Sequence, residues 1–157
     1  MRFVLQPVRI PFAVGAGAMV GAAGVTAGYS VPLLDPDALQ MVLGMAPLIF
    51  LVALMVWAFG LFVIGGPVWV VLHSRNRTRP ADALAAGAVT TFLVALLFSL
   101  LMTASLVSER QGGYALVEDG QRTAFGWLML LGGCALLSTL GGLVGLVIWR
   151  VAYRAER

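Results

Sequence analysis

Apolar and polar positions in this chain fall into long blocks rather than alternating. Four stretches carry no charged side chain: Ile10 to Leu34, Ala38 to Leu72, Ala83 to Ser108 and Thr123 to Trp149. Each is longer than the roughly 20 residues an α-helix needs to cross ~30 Å of hydrocarbon. The pattern predicts four transmembrane helices, over about 10–33, 41–72, 83–107 and 124–150. The expected fold class is all-α: a polytopic membrane protein whose four helices form a bundle and a single membrane domain over 1–157. The bilayer is its first partner.

The four blocks differ in kind. In the first, Gly17, Gly21, Gly24 and Gly28 are spaced 4, 3 and 4 residues apart, which puts them in one narrow stripe at about 100° per residue. The last block repeats that spacing with Cys134, Ser138, Gly141 and Gly145. Small residues let a neighbouring backbone approach closely in lipid, so both stripes are expected to be buried helix contacts. GxxxG also arises by chance, and glycine and alanine are common in membrane helices. The second block has 35 residues, ~52 Å as one straight helix, and must tilt, shorten or bend. Gly65, Gly66 and Pro67 predict a kink, because Pro67 lacks an amide hydrogen and its ring crowds the Val63 carbonyl. Pro47 is expected to start or bend the outer end. A shared GGxV sequence, at Gly65 to Val68 and Gly141 to Val144, is what common topology produces without duplication.

Composition agrees with the pattern. At 61% hydrophobic and 11% charged residues, with a mean hydropathy of +0.97, the chain has too much apolar surface for a soluble domain of this size to cover. Its basic residues are all arginine, and their placement argues against a nucleic-acid partner. Eight of the ten lie at the N-terminus (Arg2, Arg9), after the second block (Arg75, Arg77, Arg79) and at the C-terminus (Arg150, Arg154, Arg157). The other two gaps hold Arg110 and Arg122 with five of the seven acidic residues. Short arginine-rich loops stay cytoplasmic, so both termini are expected inside, in the inner membrane of a bacterium. A competing reading takes Arg2, Arg9 and the small run Ala16, Gly17, Ala18 as a secretory signal; the apolar stretch before the first cleavage-like site is short for one.

Aromatic residues are expected as interface anchors, with Trp69, Trp149 and Tyr153 at the inner boundary and Tyr29, Phe125 and Trp127 at the outer one. Trp57 falls near the midplane, with Ala53 and Gly60 on its own face; it packs, faces lipid or lines a cavity.

Candidate chemistry is sparse. No ionisable group lies inside a block, which argues against proton- or ion-coupled transport. The hydroxyls (Thr26, Thr90, Thr91, Ser99, Thr103, Ser105, Ser138, Thr139) are each satisfiable by a preceding carbonyl of their own helix. Ser99 and Thr103, one turn apart, are the pair a polar path would use. The lone histidine, His73, cannot build a bis-histidine haem or multi-histidine metal site by itself, and the lone Cys134 cannot form an internal disulfide. No catalytic, cofactor-binding or metal-ligating residues are assigned, and no enzyme activity is expected. The cluster His73 to Pro80, HSRNRTRP, is a topology signal whose Arg75, Arg77 and Arg79 are also expected to contact anionic lipid headgroups. Asn76 to Thr78 matches a glycosylation sequon on the wrong side for modification. The outer segment Ser108 to Arg122 reads as a solvated connector, with a break at Gly112 and Gly113 and a turn at Glu118 to Gly120.

These observations point to a small non-enzymatic membrane protein acting through helix association, with itself or another membrane protein, as an accessory or assembly subunit. Two alternatives stay open. One is an oligomeric pore or facilitator gated at Gly65 to Pro67; the other is an immunity protein against a membrane-targeting toxin, by analogy of size and topology.

Overall fold

A computed structural model describes residues 3–5, 9–30, 36–75, 77, 79–103, 108–111 and 113–155. The expected ends of the first and third spans, 31–33 and 104–107, lie outside the described residues, as do Asn76, Thr78, Ser105 and Gly112. The chain is mostly helical. Helices are α1 (Ile10–Ser30), α2 (Pro36–Gly60), α3 (Gly66–Ser74), α4 (Pro80–Thr103) and α5 (Ala124–Ala152). Four helical stretches among the described residues are long and apolar enough to cross a membrane: Ile10–Gly28, Gly44–Ser74, Pro80–Met102 and Ala124–Ala152.

The second of these joins α2 and α3 through a five-residue π-helical turn, Leu61–Gly65. Pro67, next to that turn, explains its position. With no amide hydrogen at Pro67, the Val63 carbonyl loses its ordinary partner. The chain widens just upstream instead of breaking, and the Gly66 N–H reaches back five residues to the Leu61 carbonyl. Pro47 lies inside α2, which begins eleven residues earlier, so it does not start the helix.

Short strands supplement the helices, which the all-α expectation did not include. Between α4 and α5, β2 (Glu109–Gln111), β3 (Tyr114–Glu118) and β4 (Gln121–Arg122) form an antiparallel meander. The turn joining β3 to β4 is Asp119 and Gly120, both at positive φ (50° and 75°). That geometry suits the right-handed twist of a two-residue hairpin, and the Asp-Gly pair is its usual sequence. The segment expected to be a solvated connector is therefore folded and partly packed: Leu116 and Val117 are buried. Thr123 ties it to α5. Its hydroxyl donates to the Ala115 carbonyl at 2.6 Å and accepts from the Gly126 N–H at 3.0 Å, while its own N–H donates to the Leu116 carbonyl at 3.1 Å. At the opposite end of α5, β1 (Phe3–Leu5) pairs antiparallel with β5 (Tyr153–Ala155), so the two ends of the chain are clasped together.

Helix contacts follow the order α2, α1, α5, α4. Among the described residues α2 and α4 do not pack on each other to any extent, and the second span meets α4 only in its later half, through the π-helical turn Leu61–Gly65 and α3. Each end of the row keeps a broad apolar face uncovered, including Leu48, Met55 and Phe59 on α2 and Leu93, Leu97 and Leu101 on α4. In water such faces would be untenable; in lipid they are ordinary.

Candidate functional site

Two regions hold the residues singled out from the sequence: the seams between helices and the arginine-rich end. The tightest seam joins α4 to α5. A Cβ placed on Gly87 would run into the backbone of Gly141 and Gly145, one on Gly145 into the Ala83 carbonyl, and one on Gly141 into Thr91. The two backbones therefore touch directly, as small-xxx-small packing in lipid allows. Ser138, from the same stripe, donates its hydroxyl across the seam to the Ala88 carbonyl at 2.9 Å. Cys134, a turn earlier, is buried and carries a free thiol.

The glycines of α1 are placed differently from one another. A Cβ on Gly17 would meet Ile148 and Val144 of α5, one on Gly24 would meet Leu140 of α5, and one on Gly21 would meet the indole of Trp57 on α2. Trp57 is thus packed against α1, not turned into a cavity. Gly28 has nothing within 4 Å of such a Cβ among the described residues. The α1 stripe meets large side chains, whereas the α5 stripe meets the small residues Ala83, Gly87 and Thr91 of α4. Those three recur every four residues and form a small-xxx-small row that sequence reading passed over, because only one of them is glycine.

Two hydroxyls inside the spans bond to their own helices. Thr26 donates to Ala22 O at 2.9 Å and Thr139 to Leu136 O at 2.7 Å, the local back-bonding expected of them. Ser138 is the departure. At the far end of the α4 and α5 pair, Arg122 donates to the Ser99 carbonyl at 3.3 Å, in the last turn and a half of α4 where carbonyls begin to lack helical partners. Its guanidinium also lies over Trp127, 5.8 Å from the ring centre.

The arginine-rich end is built on aromatic packing. Tyr153 stacks on Trp149 with ring centres 6.1 Å apart and meets Trp69 edge-on at 6.0 Å, so residues expected as separate anchors form one cluster. The Tyr153 hydroxyl lies 3.2 Å from His73 Nδ1. Burial raises the Tyr153 phenol above its ordinary pKa, because the phenolate would be poorly solvated there.

Beyond His73 the chain turns into the loop carrying Arg75, Arg77 and Arg79. The Arg75 N–H donates to Val71 O at 3.1 Å and the Arg77 N–H to Leu72 O at 2.9 Å, which ends α3. The Arg79 carbonyl accepts from Asp82 and Ala83 and starts α4. With their backbones held at two helix ends, all three arginines line one cleft of ≈ 290 Å³ together with Asp82. Arg77 Nη1 stands 3.6 Å from Asp82 Oδ1, a long and largely exposed ion pair. Asp82 Oδ2 is buried and has no hydrogen-bond partner among the described residues.

No group of three or more His, Cys, Asp or Glu side chains among the described residues is placed to hold a metal ion. The chain matches no protein-family model, no curated protein and no solved structure.

Proposed function

We propose that the protein is a non-enzymatic accessory or assembly subunit of a bacterial inner membrane, acting through helix association within the bilayer, with both termini in the cytoplasm. The observation that carries this reading is the row of helices, open between α2 and α4 and closed only where the π-helical turn and α3 meet α4. The interior positions are joined by close seams, while α2 and α4 end the row and keep their apolar outer faces free for a second copy or another membrane protein. A four-helix bundle would then be completed in the assembly.

The orientation rests on charge. The β1 and β5 clasp, the contact between His73 and Tyr153, and the loop Arg75 to Arg79 bring all three arginine-rich segments to one end of the molecule, opposite the meander that carries Glu118 and Asp119. Excess arginine at one end favours the cytoplasmic side. Against a path along the whole third span, Thr91 of α4 lies against Gly141, inside the seam.

Gentle solubilisation of native membranes, followed by mass spectrometry and crosslinking through cysteines placed at Leu48 and Leu93, tests the proposal. Crosslinks to a second copy or to one defined membrane protein are the expected result. Recovery as a lone monomer, with solute flux in proteoliposomes, would overturn it in favour of a pore or facilitator.

A further inference from the structure

We propose that the cleft formed by Arg75, Arg77, Arg79 and Asp82 is a headgroup site for an anionic phospholipid, with the phosphate held by the guanidinium groups and a headgroup hydroxyl donating to Asp82. The inference rests on the chain crossing a bilayer. It does not depend on helix association.

Charge is the first argument. Three guanidinium groups share one cleft with a single carboxylate. The only ion pair among them spans 3.6 Å, beyond ordinary hydrogen-bond length, and its arginine side chain is 68% exposed. Positive charge in the cleft is therefore left largely uncompensated. Planar guanidinium forks match the oxygens of a phosphate, and a tetrahedral anion can bridge several at once.

Position is the second. Arg75 directly follows the span that ends at Ser74, and Arg79 directly precedes the span that begins at Pro80. A cleft one residue from two membrane helices lies at the level of lipid phosphates, near the Trp69, Trp149 and Tyr153 cluster that suits the same depth. Its ≈ 290 Å³ is at the small end of ligand-pocket sizes and suits a headgroup better than a large solute.

Asp82 narrows the choice. Its side chain lines the cleft and is partly exposed, Oδ2 is buried without a partner among the described residues, and Oδ1 stands 3.6 Å from Arg77, too far for a hydrogen bond. A half-buried carboxylate left short of donors is costly, so the ligand it favours brings a donor to Oδ1. A lipid with a phosphodiester and hydroxyls in its head, such as phosphatidylglycerol, supplies both the anion and the O–H. Phosphatidylmethanol has the same charge and no donor; phosphatidylcholine has neither net charge nor donor.

The test uses the full chain in phosphatidylcholine nanodiscs doped with one of these lipids, and native mass spectrometry counts retained lipid. Saturable retention of one phosphatidylglycerol per chain is expected, about tenfold stronger than for phosphatidylmethanol, the discrimination given by roughly one good hydrogen bond to a charged group. Replacing all three arginines by lysine keeps charge and orientation but removes the fork geometry, and is expected to weaken retention about tenfold. Asp82→Ala should bring phosphatidylglycerol down to the phosphatidylmethanol level. Soluble glycerol phosphate at equal concentration is expected to leave the bound lipid in place; if it displaces the lipid, the site serves a soluble phosphate and the lipid assignment falls. Equal, unsaturable retention of both anionic lipids by the wild-type chain alone would overturn the proposal whether or not a variant folds.

Discussion

Gly87→Ala adds one methyl group to the middle of α4, and the structure specifies what it strikes. The new Cβ would meet the Gly141 carbonyl, with the Gly141 carbonyl carbon at 3.1 Å and the Gly145 Cα at 3.3 Å. All are backbone atoms of a continuous 29-residue helix, α5, that cannot retract locally. The helices must separate instead. Opening a seam by about 0.5–1 Å forfeits a quarter to a half of contacts worth ~0.1–0.2 kcal/mol each, about 1 kcal/mol over roughly twenty atom pairs. The same movement stretches the Ser138 to Ala88 hydrogen bond, and interhelical bonds of this kind in membranes average about 0.6 kcal/mol. The expected destabilisation is about 2 kcal/mol, in the range of over-packing generally.

The α1 glycines supply a graded control. Gly24→Ala meets the branched tip of Leu140, which can rotate away at about 0.5–1.5 kcal/mol. Gly28→Ala meets nothing within 4 Å among the described residues and should be neutral or slightly stabilising, because alanine is the better helix former. Unfolding of the three variants by denaturing detergent, followed by circular dichroism, gives the order of stability Gly28→Ala, Gly24→Ala, Gly87→Ala from highest to lowest. A Gly87→Ala protein within about 0.5 kcal/mol of wild type, the usual scatter of harmless substitutions, would refute the argument that the α4 and α5 backbones touch.

Three further outcomes follow from the same structure. A topology reporter fused after Glu118 should be active only outside and one after Arg77 only inside; the reverse pattern refutes the orientation. Burial raises the Tyr153 pKa, so below 10.0 the phenol is protonated in both folded and unfolded chains and contributes no pH dependence. Above that value the unfolded chain ionises first, and wild-type stability should fall with rising pH more steeply than that of Tyr153→Phe, read from detergent unfolding at successive pH values. Thr123→Ala removes the α5 cap and the bond to Ala115, and should lower stability by about 0.5–2 kcal/mol while speeding hydrogen exchange of Leu116 and Val117.

Much of the helical layout was legible because hydrocarbon excludes charge, and that exclusion is written residue by residue. Helix ends differ from the block limits by varying amounts where they are described: α5 runs Ala124–Ala152 against an expected 124–150, α4 starts at Pro80 against 83, and α2 starts at Pro36 against 41. What could not be read depends on pairing between distant segments. Nothing local in Phe3 to Leu5 announces a partner 150 residues away in Tyr153 to Ala155. The meander is an intermediate case. Asp119 and Gly120 follow an apolar run and carry the signature of a two-residue hairpin, yet strands of only two to five residues give too little alternation to set a sheet apart from a connector.

The small-residue rows show a subtler limit. Spacing identified Gly141 and Gly145 as a contact face, but spacing on one helix cannot say what approaches it. Ala83, Gly87 and Thr91 form the facing row, and they escaped notice because alanine and threonine are also ordinary filler in membrane helices. A stripe of glycine marks where a backbone can come close; only the partner's backbone, here the Ala83 and Gly87 carbonyls, makes it a seam. The same reasoning separates the arginines. Their excess at one end bears on orientation whatever they touch, whereas Arg75, Arg77 and Arg79 become candidates for recognition only because two helix termini hold them around one cleft with a carboxylate that is short of donors among the described residues.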